Sequence, residues 1–294
     1  TNIPGTPIGY WMQNWFRLFG KGTIGNVVDV KAGVVTGDDK YFVRYWPEVS
    51  FQDISFIAKP FGAYAKWHNF QKGGTPRKYY GNFDMLIRLK DLYVTDCVNI
   101  SVRRGDKDFY FKEAVGWSQI GGGTKTFRII KNSVCGTATP TVYSNTSLGN
   151  EYICGLLNSK VSAQLYPLYN PTINLLTTDI SKIPLIECNI EHITNTVSQN
   201  ISISRLDWDA HETSWDFQTN DLLTINETNC LDIFKEYSNA TGICIDPAMP
   251  APESLEWRMD LYKMKWTAKY LQLHANEEEL NRQFIDIYGL QDEL

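Results

Sequence analysis

What this sequence of 294 residues lacks narrows its chemistry before any motif is weighed. No window approaches the roughly 18 uncharged apolar residues of a membrane-spanning helix, so a soluble chain is expected. The six cysteines, Cys97, Cys135, Cys154, Cys188, Cys230 and Cys244, include no Cys-x-x-Cys pair, which argues against a zinc ribbon. Scattered over so long a chain, they point to reduced thiols in a cytoplasm rather than to a disulfide scaffold. The four histidines, His68, His192, His211 and His274, never fall at the spacing of a metal-ligand pair. No Gly-x-Ser-x-Gly elbow offers a serine nucleophile. Base chemistry on adenine would need an Asn/Asp-Pro-Pro-aromatic motif and a glycine-rich cofactor loop; Asn170-Pro171-Thr172 lacks the second proline and the aromatic. A carboxylate nuclease would need an Asp followed by Glu-x-Lys, and Asp246-Pro247 has no such sequel. The expectation is a chain with no catalytic centre, cofactor site or metal site of its own. It opens on TNIPGTPIGYW, without an initiating methionine or a signal peptide, and is read as a piece of a longer protein.

What is present is an apolar fraction of 43% and an aromatic fraction of 13%, enough for a real core. The net charge of −5 hides a segregation. Residues 59–131 hold 14 basic and 6 acidic side chains, whereas residues 132–294 hold 9 basic and 22 acidic ones. A basic block within an acidic chain is the electrostatic footprint of a nucleic-acid contact surface, because phosphates attract Lys and Arg while acids elsewhere limit indiscriminate binding. The plainer reading is a solvated basic face.

Residues 8–19, IGYWMQNWFRLF, repeat apolar side chains at a 3.6-residue period and predict a helix after Pro7. A glycine-broken run from Val27 to Val49 mixes β-branched residues and turns, and from there to about residue 148 short β-rich runs (FIAKPF, FDMLIRL, VTDCVNISVRR, FYFKEAVGWS, TFRIIK, TVY) broken by Gly, Asn, Asp and Pro predict a sheet. Helical spacing returns at 150–165, near 189–203 and at 253–274, with a linker or turn at 247–252 (PAMPAP). The expected architecture is α+β: a sheet-rich unit over 1–186 with packed helices, then a mostly helical region over 187–294.

Three basic loops carry the chemistry. KGGTPRKYYGN (72–82) offers Lys72, Arg77 and Lys78 for phosphates or guanine edges, Tyr79 and Tyr80 for stacking, Asn82 for edge readout, and glycines that let a strand approach the backbone. RRGDK supplies Arg103, Arg104 and Lys107, and WSQIGGGTKTFR supplies Trp117, Ser118, Gln119, Lys125 and Arg128. Within the last loop, GGGT (121–124) lacks the rest of a P-loop and reads as a flexible hairpin tip. GKGTIG (20–25) matches a dinucleotide fingerprint in letters only, since a helix precedes it and a strand follows. The acidic DWDAHETSWDF (207–217) lacks a glycine-turned calcium loop and reads as a docking segment laid over another surface.

The segments 30–50, 66–82, 111–128, 152–184, 206–217 and 278–294, in that order, resemble the C-terminal half of the PglX family, adenine-specific DNA methyltransferases of BREX phage-defence systems that are similar to type IIG restriction-modification enzymes. The resemblance implies a target recognition domain followed by a helical spacer or docking region, with the S-adenosylmethionine-dependent methyltransferase core in an upstream domain outside this sequence. It implies duplex DNA as the partner, read in sequence-specific fashion. The alternative is a protein-interaction module that binds another defence-system subunit or a phage inhibitor through the acidic, Trp-rich C-terminal half.

Overall fold

The computed structural model describes residues 15–18, 20, 22–55, 66–94, 102–144, 146, 148–245 and 254–294. Most of the helix expected at 8–19, the strand expected at 56–61, most of the run at 94–104 and the linker at 247–252 lie outside the described residues. The fold is mixed α+β with a helical C-terminal region, as expected. Short elements come first: α1 (Ile24–Val27), β1 (Asp29–Lys31), α2 (Asp39–Phe42), β2 (Val43–Tyr45), β3 (Ile54–Ser55), β4 (Trp67–Gln71), β5 (Met85–Ile87), α3 (Asp91–Val94), β6 (Ala114–Trp117), β7 (Phe127–Ile130), β8 (Val134–Cys135) and β9 (Thr141–Tyr143). Helices follow: α4 (Gly149–Asn158), α5 (Lys160–Tyr169), α6 (Thr177–Ser181), α7 (Ile190–Asp209), α8 (Asp221–Thr224), α9 (Cys230–Thr241) and α10 (Leu255–Tyr288). Among these, no helix is long and apolar enough to cross a membrane.

The strands form two sheets. The first is antiparallel in the order β1-β9-β6-β7, and the second runs β2-β5-β4, with β3 and β8 each paired in parallel to β4. Residues alternate faces along a strand, so Val115, Trp117, Phe127, Ile129 and Val142 of the first sheet turn one way, into the main core. Arg128 turns the other way, and its guanidinium reaches Gln71 at the end of β4.

The expected helix at 150–165 is two helices. Ser159 has extended dihedrals (φ −74°, ψ 159°); it ends α4 and caps α5, accepting a hydrogen bond from the Ser162 amide. At the other end of the chain the expected helix at 253–274 continues through the helix formers ANEEE to residue 288, giving a rod of 34 residues, about 50 Å at 1.5 Å per residue. α4 packs on β6 and β7, α7 packs on α4, and α10 packs on α7 and α5; they come close at Gly155, where a Cβ would lie 2.8 Å from Val197 Cγ2 and 3.5 Å from the Phe284 ring. Phe284 is fully buried edge-to-face against Tyr152. The Tyr152 hydroxyl donates to the Ile186 carbonyl at 2.7 Å and that of Tyr288 to the Pro184 carbonyl at 2.6 Å. One apolar core therefore crosses position 186, joining strands β6 and β7 to the last turns of α10.

Phe284→Ala is expected to cost about 3–5 kcal/mol, the range for emptying a buried ring site. Urea titration of the purified protein is the check: the near-ultraviolet signal of the packed aromatic rings and the far-ultraviolet helical signal are expected to move together to lower urea, because both depend on the same core.

Candidate nucleic-acid interface

The loop at 72–82 is fastened to the fold from beneath. Tyr79 holds a left-handed backbone (φ 66°), donates its amide to the Phe127 carbonyl at 2.8 Å and accepts from the Ile129 amide at 2.9 Å, which adds it to the edge of β7. Its ring enters the core at 2% exposure, and burial pushes its hydroxyl far above the ordinary tyrosine value. Asn82, also left-handed, donates to the carbonyls of Thr75 (2.9 Å) and Gly73 (3.3 Å). Arg128 is wholly buried; its Nη2 donates to the Gly73 carbonyl at 2.9 Å and to Gln71 Oε1 at 3.2 Å. Burial lowers its pKa to about 10, which still leaves it charged at neutral pH. Trp117 is fully buried as well, with Nε1 bonded to the Leu175 carbonyl at 2.8 Å. Tyr79, Trp117 and Arg128, placed on the contact surface by the sequence pattern, are thus interior side chains that set the loop, and Asn82 at 6% exposure ties the loop to itself.

The crown of the loop faces the helical region. Arg77 Nη1 lies 3.2 Å from Asp207 Oδ2 on α7, with its guanidinium 4.8 Å from the centre of the Trp208 ring. Lys78 Nζ donates to both carboxylate oxygens of Glu277 on α10 at 2.9 Å. Tyr80 packs on Phe83, and burial lifts its hydroxyl to about 12. These contacts frame a cleft of about 330 Å3 whose other walls include Ile203, Trp266, Tyr270 and Leu273. The acidic segment after α7 docks on the same side: Trp215 meets Phe83 edge-on, and the Thr213 carbonyl accepts from Trp46 Nε1 at 2.9 Å. Asp209, the last residue of α7, accepts from Ser214 Oγ at 2.8 Å and from Arg205 at 3.2 Å, and Asp216 lies 3.7 Å from Arg205. Among the described residues no group of three or more His, Cys, Asp or Glu is arranged to hold a metal ion.

The remaining predicted residues gather on a second surface, strung together by backbone hydrogen bonds. Val35 and Arg103 exchange amide bonds at 2.8 and 2.9 Å, Val34 donates to Cys135, and Gly136 donates to Gln71. Ser118 Oγ donates to the Gly74 carbonyl at 3.2 Å, and the Gln119 amide to Ala138 at 3.0 Å. One rim results, made of 33–37, 71–75, 103–107, 118–119 and 136–138. On it Arg103, Arg104 and Lys107 are exposed, and Lys72 is half-buried beside its ion-pair partner Asp39. Tyr93 orients two of them: Lys107 Nζ stands 4.0 Å and the Arg104 guanidinium 5.3 Å from its ring centre. Lys125 sits at the end of the rim but spends its ammonium on the carbonyls of Gly121 and Ile173.

The chain matches the adenine-specific methyltransferases PglX and BrxX. It is 30% identical over 99% of its length to adenine-specific methyltransferase PglX of Lacticaseibacillus casei (strain Zhang), and 30% identical over 75% of its length to adenine-specific methyltransferase BrxX of Escherichia coli O9:H4 (strain HS). It spans 24% and 18% of those proteins, so about a quarter of the length of the first. No family model matches. The stretches singled out for their likeness to PglX map onto structural joints: 66–82 is β4 and the fastened loop, 152–184 is α4 to α6, and 278–294 is the end of α10 that closes the core. Two partners escaped the sequence reading, Asp207 as a clamp and Glu277. Glu277 was detectable, since it continues the spacing of Trp266, Tyr270 and Leu273 along α10.

A double-mutant cycle of Lys78→Met and Glu277→Gln is expected to give a coupling of about 0.5–1 kcal/mol, as befits a pair near the surface. Urea stability at low and high salt measures it, and the coupling is expected to shrink as salt rises.

Proposed function

We propose that the chain is the DNA-recognition part of an adenine-specific DNA methyltransferase of phage defence, holding duplex DNA for a methyltransferase core carried outside these residues. The observation that carries the reading is the rim, where three loops distant in sequence bring Lys72, Arg103, Arg104 and Lys107 together with Ser118 and Gln119. Exposed cations beside amide and hydroxyl groups suit the two tasks of such a surface: charge grips phosphates, and short polar side chains reach base edges. The likeness to PglX and BrxX supports it, because an enzyme specific for adenine must place one base among many. S-adenosylmethionine would be held by the core, which is where the missing cofactor and Pro-Pro motifs belong. Residues 1–186 would supply the recognition surface, and 187–294 the brace behind the loop at 72–82.

Arg77, Lys78 and Lys72 contribute less to the grip in this reading, because each already faces a carboxylate, and Arg103, Arg104 and Lys107 are its exposed cations. The competing reading, a module that captures a protein through its Trp-rich acidic half, has a smaller surface to use: Trp208 and Trp257 are buried and Trp215 is packed on Phe83, which leaves Trp266 in the cleft.

Affinity for a short duplex, followed by fluorescence anisotropy over a salt series, tests the assignment. Arg103→Ala is expected to weaken binding to every sequence and to flatten the salt slope by about 0.9, the value for one lost phosphate contact. A slope unchanged by Arg103→Ala and flattened instead by Lys78→Ala would move the DNA to the other face of the loop and sink the rim.

A further inference from the structure

Two side chains of the rim are joined to each other across distant segments. Lys72, directly after β4, pairs with Asp39 in the first turn of α2. On a surface that grips phosphate such a pair works against the grip, because the carboxylate repels the backbone and takes a cation out of use. Stability gives little reason for it: the two side chains keep 34% and 48% of their surface, and ion pairs so exposed contribute little.

The carboxylate is nonetheless held from both sides. Asp39 Oδ2 accepts from Lys72 Nζ, and Oδ1 accepts at 2.6 Å from the hydroxyl of Thr36, itself buried. Partial burial alone would raise its pKa, but these two bonds and the Lys72 charge hold the carboxyl below its usual value, so it stands as an acceptor at neutral pH. The backbone beneath is fixed as well. The Val34 amide donates to the Cys135 carbonyl at 2.8 Å, the Thr137 amide donates to the Val34 carbonyl at 3.0 Å, and a Cβ on Gly33 would lie 2.0 Å from the Cys135 carbonyl oxygen. Asp39 and Lys72 line a hollow of about 250 Å3 within the rim, together with Val34, Val35, Phe70 and Thr137. Pairing does not exhaust either group: an ammonium has three donors and a carboxylate about four acceptor positions.

An acceptor fixed against a donor is the complement of a base pair viewed from the major groove, where an exocyclic amine lies beside a carbonyl oxygen. On a G·C pair the amine is cytosine N4, which carboxylates take, and the neighbouring oxygen is guanine O6, which ammonium groups take; adenine is met best by an amide. The apolar wall of Val34, Val35 and Phe70 suits the C5 edge of the same cytosine.

We propose that Asp39 and Lys72 together read one G·C pair of the bound duplex, Asp39 accepting from cytosine N4 and Lys72 donating to guanine O6. This rests on the DNA-binding reading above and adds residues that carry its specificity, while Arg103, Arg104 and Lys107 hold phosphate. The test is selection from a random duplex library by the purified protein, repeated with Asp39→Asn, Lys72→Met and, as a control, Arg103→Ala. The unaltered protein is expected to enrich a motif with at least one fixed G·C pair. Asp39→Asn and Lys72→Met are each expected to lower the preference for G·C about tenfold at the same single position and to keep every other position. Both variants are expected to melt with the unaltered protein, because the pair is solvent-exposed. Arg103→Ala is expected to weaken binding and leave the motif as it was. A motif that either variant leaves intact, relaxation of two different positions, loss spread over the whole motif, or duplex binding without any enriched motif would each overturn the pair while the DNA reading stands. Absence of duplex binding by the unaltered protein would overturn the DNA reading and the pair together.

Discussion

The carbonyl oxygen of Gly73 is the point on which the surface hangs. Two donors hold it, the buried Arg128 guanidinium and the Asn82 amide, one from the first sheet and one from the far end of the same loop. A full charge in the interior is costly unless it is hydrogen-bonded, and the only bonds the Arg128 guanidinium makes among the described residues run from Nη2 to Gly73 and Gln71, with Nε and Nη1 buried without a partner, so moving this loop would remove one of the two bonds that offset the cost. Tyr79 repeats the constraint in apolar form: its backbone joins the edge of β7 while its ring is sealed in the main core. With the base of the loop fixed, Ser118 can bond to Gly74 and the rim acquires a definite shape.

The charge segregation of the sequence has a structural counterpart that a linear count misses. Part of the basic block is turned inward on the chain itself, where Asp207 and Glu277 of the acidic half meet Arg77 and Lys78. These pairs are partly solvated, so each contributes little to stability alone; their effect is to sort the cations. Arg77 and Lys78, against the helices, each face a carboxylate, and Arg103, Arg104 and Lys107 are exposed on the rim.

The α+β class, strands β5, β6, β7 and β9 and the existence of α7 and α10 were legible from periodicity: Val115, Trp117, Phe127 and Ile129 alternate, whereas in α10 the apolar repeat Leu255, Met259, Tyr262, Trp266, Tyr270 and Leu273 marks a helix but not its buried face, which is Trp257, Leu261, Ala268, Leu280 and Phe284, with Leu255, Met259 and Tyr270 exposed. The break at Ser159 was not legible, since a serine within a helical pattern signals a cap only once the geometry is known. Helix α10 ran on because nothing in ANEEE ends a helix. At the surface, residue type misled where tertiary position decided: an Arg in a strand reads as a contact residue by charge, yet the alternation of Phe127, Arg128 and Ile129 sends Arg128 between the sheets. The gathering of the rim depends on pairings such as Val35 with Arg103 that join segments far apart in sequence, and no local pattern encodes them.

The length of α10 has a mechanical consequence. Glu277, which holds the loop at 72–82, and Trp257, which seats α9, lie on one uninterrupted helix about 30 Å apart. A rod of that length acts as a lever, so a tilt of about 5° around Glu277 carries Trp257 through about 2.6 Å. A displacement too small to register at the loop would thus become a shift of side-chain size at the far end of the chain, and any component that rests on α8 and α9 would sense the state of the loop without touching it.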